Sequence, residues 1–176
     1  MKTIVIYSSK SGFVKKYADW IAKDLAADLF EAAKVTPAML TAYDTVIYGG
    51  GLYAVGINGV KLIKGNLDKL QGKKIVVFAS GASPAGKEVT HEVRDKNFTA
   101  AQQQQIRFFY LRGGFDFGKL KPVDKVLMTL LKWKMKMKPQ AKLSSDEKGM
   151  LAAYDRPQDF TKKKNIDELI AYVTTA

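Results

Sequence analysis

The stretch TIVIYSSKSGFVKKYADW, Thr3 to Trp20, changes character twice. Thr3 to Tyr7 is short, β-branched and apolar, the composition of a strand buried on both faces. Ser8-Ser9-Lys10-Ser11-Gly12 then brings hydroxyls, a lysine and a glycine. From Gly12 onward Tyr17, Trp20, Ile21, Leu25 and Leu29 recur at helical spacing, with charged residues between them. The unit reads as strand, tight loop, helix.

The same unit repeats along the chain. Leu29 to Val35 is a weak second strand, and Tyr43 to Tyr48 is a strong third that ends in Gly49-Gly50-Gly51. Val60 to Leu70 reads as a short helix. Lys73 to Ser80 is a central strand ending at Ser80-Gly81-Ala82-Ser83-Pro84, and Gly86 to Lys96 a polar helix. Gln105 to Leu111 is the fifth strand, stopped by Arg112-Gly113-Gly114, and Ile166 to Val173 is the terminal helix. Alternation of this kind predicts an α/β fold, a doubly wound five-stranded parallel sheet with helices on both faces. At 176 residues, 47% of them apolar, one domain spanning 1–176 is expected.

Some forty residues, 115–153, stand outside the repeat as an insertion after the fifth strand. Within it Val123, Val126, Leu127, Leu130, Trp133 and Met137 share one helical face, with Lys125, Lys132 and Lys136 opposite. This basic amphipathic helix, 123–138, suits either an anionic membrane surface or packing on its own domain.

Composition narrows the chemistry. The absence of cysteine excludes disulfides, thiolate catalysis and Fe–S clusters, and one histidine, His91 in a polar run, excludes a His-rich metal site. No metal ligand set is assigned. The 29 basic and 17 acidic residues leave a net charge of +12, which favours acidic partners. Nucleic acid is disfavoured, because the lysines lie among aliphatic and Met residues and not among aromatics free to stack on bases. The first residues contain no secretory apolar segment, so a cytoplasmic protein is expected, with peripheral contact at the inner face of the membrane left open.

The polar, glycine-rich loops all follow strands, where ligands of such sheets sit. Ser8 to Gly12 offers hydroxyls, close backbone approach and the start of a helix, a combination that binds phosphate; the plainer alternative is a loop in which Ser11 caps the helix. The Walker pattern is absent. Gly49, Gly51 and Ala54 match a loose dinucleotide pattern, but the next strand ends at Ser80 with no acidic residue to hold a ribose. An acidic magnesium cluster of the receiver-domain type is missing as well.

Tyr7-Ser8-Ser9-Lys10-Ser11-Gly12-Phe13 resembles the phosphate loop of flavodoxins. Residues 47–54 (IYGGGLYA), 109–116 (FYLRGGFD) and 148–150 (KGM) are similar to the flavodoxin-domain branch that includes menaquinone-dependent protoporphyrinogen oxidase. The resemblance implies FMN as cofactor, its phosphate on Ser8, Ser9, Lys10, Ser11, Gly12 and Phe13. The flavin ring is then expected among Gly50, Gly51, Leu52 and Tyr53, Ser80, Gly81, Ala82 and Ser83, and Arg112 with Gly113. Tyr53 would either stack on the ring or pack on the scaffold, and Arg112 would either face the ring or cap its strand. Flavodoxins usually carry threonine where Val14 stands, so one phosphate contact fewer is expected. The resemblance further implies an oxidoreductase passing electrons from a porphyrinogen to a quinone, or else a carrier serving a redox protein partner. Catalytic residues and oligomeric state are not assigned.

Overall fold

The computed structural model describes residues 1–53, 55–120 and 122–175, so Ala54 of the glycine-rich motif lies outside the described residues. Strand β1 (Thr3–Ser8) is central, with Ile4, Val5 and Ile6 fully buried. Its alternation sends Ile4 and Ile6 into one apolar cluster and Val5 into another on the opposite face. Helix α1 (Phe13–Asp24) lays Val14, Tyr17, Ala18 and Ile21 into the second cluster; of the residues expected on it, Tyr17, Trp20 and Ile21 are helical, whereas Leu25 caps its end and Leu29 lies in the next strand. Strand β2 (Asp28–Glu31) is shorter than expected, because a 3₁₀ turn occupies 32–34. Helix α2 (Pro37–Thr41) follows, with the Thr36 hydroxyl capping Met39 N–H and proline in the first turn.

Strand β3 (Thr45–Tyr53) runs through the glycines instead of ending at them, and folds back on β4 (Gly56–Ile57). Pairing with β1 on one side and β5 on the other holds Gly49 and Gly50 in register as strand residues. The expected helix over 60–70 is a four-residue turn, α3 (Lys61–Lys64), and a 3₁₀ turn at Leu67–Leu70. Then come β5 (Lys74–Gly81), α4 (Lys87–Asn97), which carries an exposed His91, α5 (Ala100–Gln105) and β6 (Ile106–Arg112). Helix α5 escaped the sequence reading; a Thr99–Gln102 capping box starts it.

The inserted segment and the C-terminus contribute β7 (Gly114–Phe115), α6 (Pro122–Lys136), α7 (Ser145–Asp155), β8 (Gln158–Asp159) and α8 (Asp167–Thr174). The five main strands are parallel in the order β2-β1-β3-β5-β6. Helices α1 and α8 cover one face, while α2, α3 and α4 cover the other. Met135, Leu143 and Tyr154 form a small separate core with Phe115, Phe117, Met128, Met150 and Leu151.

Candidate cofactor site

The parallel register lines up the carboxyl ends of the strands. Ser8 pairs with Gly50, Gly51 with Ser80, and Gly81 with Arg112. Strand β1 feeds α1 on one face of the sheet, whereas β3 turns back towards α3 on the other. Such a reversal opens a crevice at the β1/β3 edge.

Helix α1 opens on that crevice without a side-chain cap. Gly12 occupies the cap position in the left-handed region, φ 93°, which a side chain makes costly. Its N–H donates to Ser9 Oγ at 3.1 Å, closing the loop. Ser11 therefore does not cap the helix, contrary to the plainer expectation. The N–H groups of Phe13, Val14 and Lys15 have no acceptor within the helix, and the first turn carries no acidic residue. Those donors and the positive end of the helix dipole suit an anion.

A second observation points to the same place. Ser80, 6% exposed at the end of β5, keeps its Oγ buried with no hydrogen-bond partner. It lies against Gly113, where a Cβ would come within 2.2 Å of that oxygen and 3.4 Å of Phe13 Cβ. Tertiary structure thus brings Gly12, Phe13, Ser80 and Gly113 together, with Gly51 beside Val14.

Several residues expected at the cofactor also make contacts within the protein. Ser8, expected on a phosphate, hydrogen-bonds the Tyr48 phenol beneath the β3–β4 hairpin. Tyr48 O–H in turn donates to the Asn58 carbonyl at 2.7 Å. Burial pushes the Tyr48 phenol up to about 12, against the opposing effect of the Ser8 hydrogen bond. Lys10 is committed as well: Nζ is 3.0 Å from Asp124 of α6 and 5.0 Å from the Tyr53 ring centroid. Tyr53 lies under this ammonium, on the hairpin. Gly50 is structural, since a Cβ there would meet Ile57 Cγ2 at 2.5 Å and Asn58 O at 2.7 Å.

The loop after β5 is stapled to β6. Tyr110 O–H donates to Ser83 O at 3.0 Å, Arg112 Nε donates to Ala82 O at 3.2 Å, and Gly113 N–H donates to Gly81 O at 2.7 Å. Leu52 packs partly buried beside Gly81. The Arg112 guanidinium stacks 3.7 Å over the Phe160 ring, so it braces this loop from the β6 edge. Sequence reasoning missed Phe160, Asn58 and Asp124, because each reaches the site only through tertiary packing. Asn58-Gly59, a turn pair, was the one local signal available. Val14 is 4% exposed in the core beneath α1, so its side chain packs while its amide belongs to the open first turn.

The sequence profile of the family described as Flavodoxin domain matches residues 4–142. The chain belongs to the flavodoxin-domain family. An uncharacterised protein of Methanocaldococcus jannaschii is 34% identical over 100 residues, which are 54% of this chain and 65% of that protein. The chain thus spans just under two thirds of that relative's length. Among solved structures, oxidised flavodoxin 1 of Bacillus cereus is similar at a TM-score of 0.47 and 21% identity, covering 82% of this chain and 100% of its own. General stress protein 14 of Treponema denticola, solved in complex with FMN, is similar at a TM-score of 0.47 and 16% identity, covering 64% of this chain and 87% of its own. The flavodoxin-domain match ends at 142, before α7 begins.

Proposed function

We propose that this flavodoxin-domain protein binds FMN at the carboxyl edge of its sheet and carries out electron transfer with it. One observation carries the reading: the uncapped start of α1 at left-handed Gly12 faces the β1/β3 crevice beside a buried, unpartnered Ser80 hydroxyl. These residues fit the group, because they supply amide donors for a phosphate and a hydroxyl that the protein itself leaves unsatisfied.

When bound, FMN supplies a ring that accepts and releases electrons singly or in pairs. The chain's own residues do the rest. The amides of Phe13, Val14 and Lys15 and the hydroxyls of Ser9 and Ser11 hold the phosphate. Gly51 leaves space next to α1, and Ser80 offers its O–H from the strand end. The stapled loop 80–83 keeps its shape because Tyr110, Arg112 and Gly113 fix three of its carbonyls. Lys10, expected on the phosphate, has its Nζ 3.0 Å from Asp124.

Within that reading, oxidation of a porphyrinogen with delivery of electrons to a quinone is supported by the motifs at 47–54, 109–116 and 148–150. The separate small core within 115–154 lies in the insertion that the resemblance associates with such a branch, and electron carriage to a protein partner is the alternative.

Titration of the purified chain with FMN, followed by visible absorbance and flavin fluorescence, tests the cofactor. Saturable binding that riboflavin, lacking the phosphate, reproduces only weakly is expected; no spectral change on mixing would end the reading. Anaerobic mixing of the loaded protein with protoporphyrinogen then separates the two functions, since bleaching of the flavin is expected only of the oxidase.

A further inference from the structure

Helix α6 presents an apolar face that the protein leaves uncovered. On its packed side Met128 and Met135 join Tyr154 in the small core, and the buried Asp124 pairs with Lys10. Tyr154 O–H fixes the helix by donating to the Met128 carbonyl at 2.7 Å. On the opposite side stand Val123, Val126, Leu127, Leu130, Trp133 and Met137, with Trp133 69% and Met137 83% exposed. The stripe identified from sequence periodicity is thus the outward one, and packing on the domain falls to different residues. Six large apolar side chains on one arc are far more than the scattered single hydrophobics of an ordinary surface.

The charge around this face is one-sided. Residues 119–142 contain eight lysines against a single acidic residue, Asp124, which is buried and already paired with Lys10. Lys134 and Lys136 are exposed beside the apolar arc, while Lys132 pairs with Asp155 at 3.1 Å and Lys138 with Glu147 at 2.7 Å. The fifteen-residue helix is about 22 Å long at 1.5 Å per residue, and among the described residues no helix is long and apolar enough to cross a bilayer.

The geometry points to α6 as an interfacial helix that lays Val126, Leu130, Trp133 and Met137 into the headgroup boundary of an anionic bilayer. The flanking lysines then reach the lipid phosphates with their stems along the apolar surface. Charge complementarity selects this occupant. A second copy of the chain would bring the same lysine-rich rim against itself, and an apolar protein groove would have no use for that rim. The proposal stands independently of FMN, since none of these outward residues belongs to the cofactor site.

Sedimentation of the full chain with phosphatidylcholine vesicles, with and without phosphatidylglycerol, tests it. Binding to the anionic vesicles is expected, weakened by salt and accompanied by a blue shift of Trp133 emission in a Trp20→Phe background. Leu130→Ser with Trp133→Ser keeps the charge and alters only exposed positions. The melting temperature should hold while lipid affinity falls at least tenfold. Lys134→Gln with Lys136→Gln should also weaken binding, and only to anionic vesicles. Equal binding by the Ser variant would overturn the insertion. So would an absence of wild-type binding, or self-association without lipid that the same Ser variant abolishes.

Discussion

Ser80 keeps a hydroxyl out of water and without a partner, an arrangement that costs about 1–3 kcal/mol wherever it occurs. If the oxygen is retained for a ligand, Ser80→Ala stabilises the ligand-free protein by about 1 kcal/mol, raising its melting temperature by roughly 2–4 °C, and weakens FMN binding. Thermal denaturation with and without FMN checks both; a lower melting temperature for the empty variant would show that the hydroxyl already has a structural use. Gly12 makes the complementary case. Nothing lies within 4 Å of the place a Cβ would take, so Gly12→Ala introduces conformational cost alone. At φ 93° that cost is about 1–2 kcal/mol, and relief of it rotates the amides of the loop away from the crevice. We expect FMN affinity to drop about tenfold, read by fluorescence titration.

The β3–β4 hairpin and α6 depend on polar contacts that cross long stretches of chain. Asn97 is buried: its carbonyl oxygen accepts Ile57 N–H at 3.0 Å, while its amide donates to Val55 O and Val93 O, both at 2.7 Å. It clamps β4 to α4. Asn97→Ala leaves those groups unpaired, and denaturant titration should show a loss of about 2–3 kcal/mol. At α6, Lys10→Met leaves the Asp124 carboxylate, 7% exposed, without its cation. The half-exposed lysine moderates the effect, so a cost of about 1–2 kcal/mol is expected, with Asp124→Asn restoring most of it in the double variant. A double-mutant cycle with purely additive losses would mean that the loop after β1 and α6 are not coupled.

Alkaline stability belongs to the whole molecule. Burial raises the phenols of Tyr48, Tyr17 and Tyr154 above their ordinary value near 10, and Tyr48 reaches about 12. Below pH 10 these groups are protonated in both folded and unfolded chains, so they make stability no function of pH. Above it the unfolded chain loses its protons first, and stability declines until the folded value is reached. For Tyr48 that window is pH 10 to about 12, with a slope of about 1.4 kcal/mol per pH unit. Denaturation midpoints measured from pH 9 to 11 should fall once pH 10 is passed. A flat profile would mean that the phenol ionises in place.

Much of this architecture was readable from neighbours along the chain. Thr3 to Tyr7, Lys73 to Ser80 and Gln105 to Leu111 announce buried strands through short apolar runs, and Tyr17, Ile21 and their companions announce α1, because residues two or four apart share a face whatever lies opposite. The strand-end loops followed from the same alternation, so Gly12, Gly51, Ser80 and Gly113 were in view before any coordinate. What the chain order could not convey is which surface meets which. The glycines of β3 are strand residues because β1 and β5 flank them; Lys10 turns from the loop after β1 to Asp124, 114 positions away. Arg112 finds Phe160, and α6, apolar on two sides, buries the Met128 and Met135 side while leaving Trp133 in water. Periodicity is a local property of the backbone and survives in the sequence. Partnership across the sheet depends on the free energy of closing long loops and burying one surface in place of another, and that was settled only when the whole chain packed.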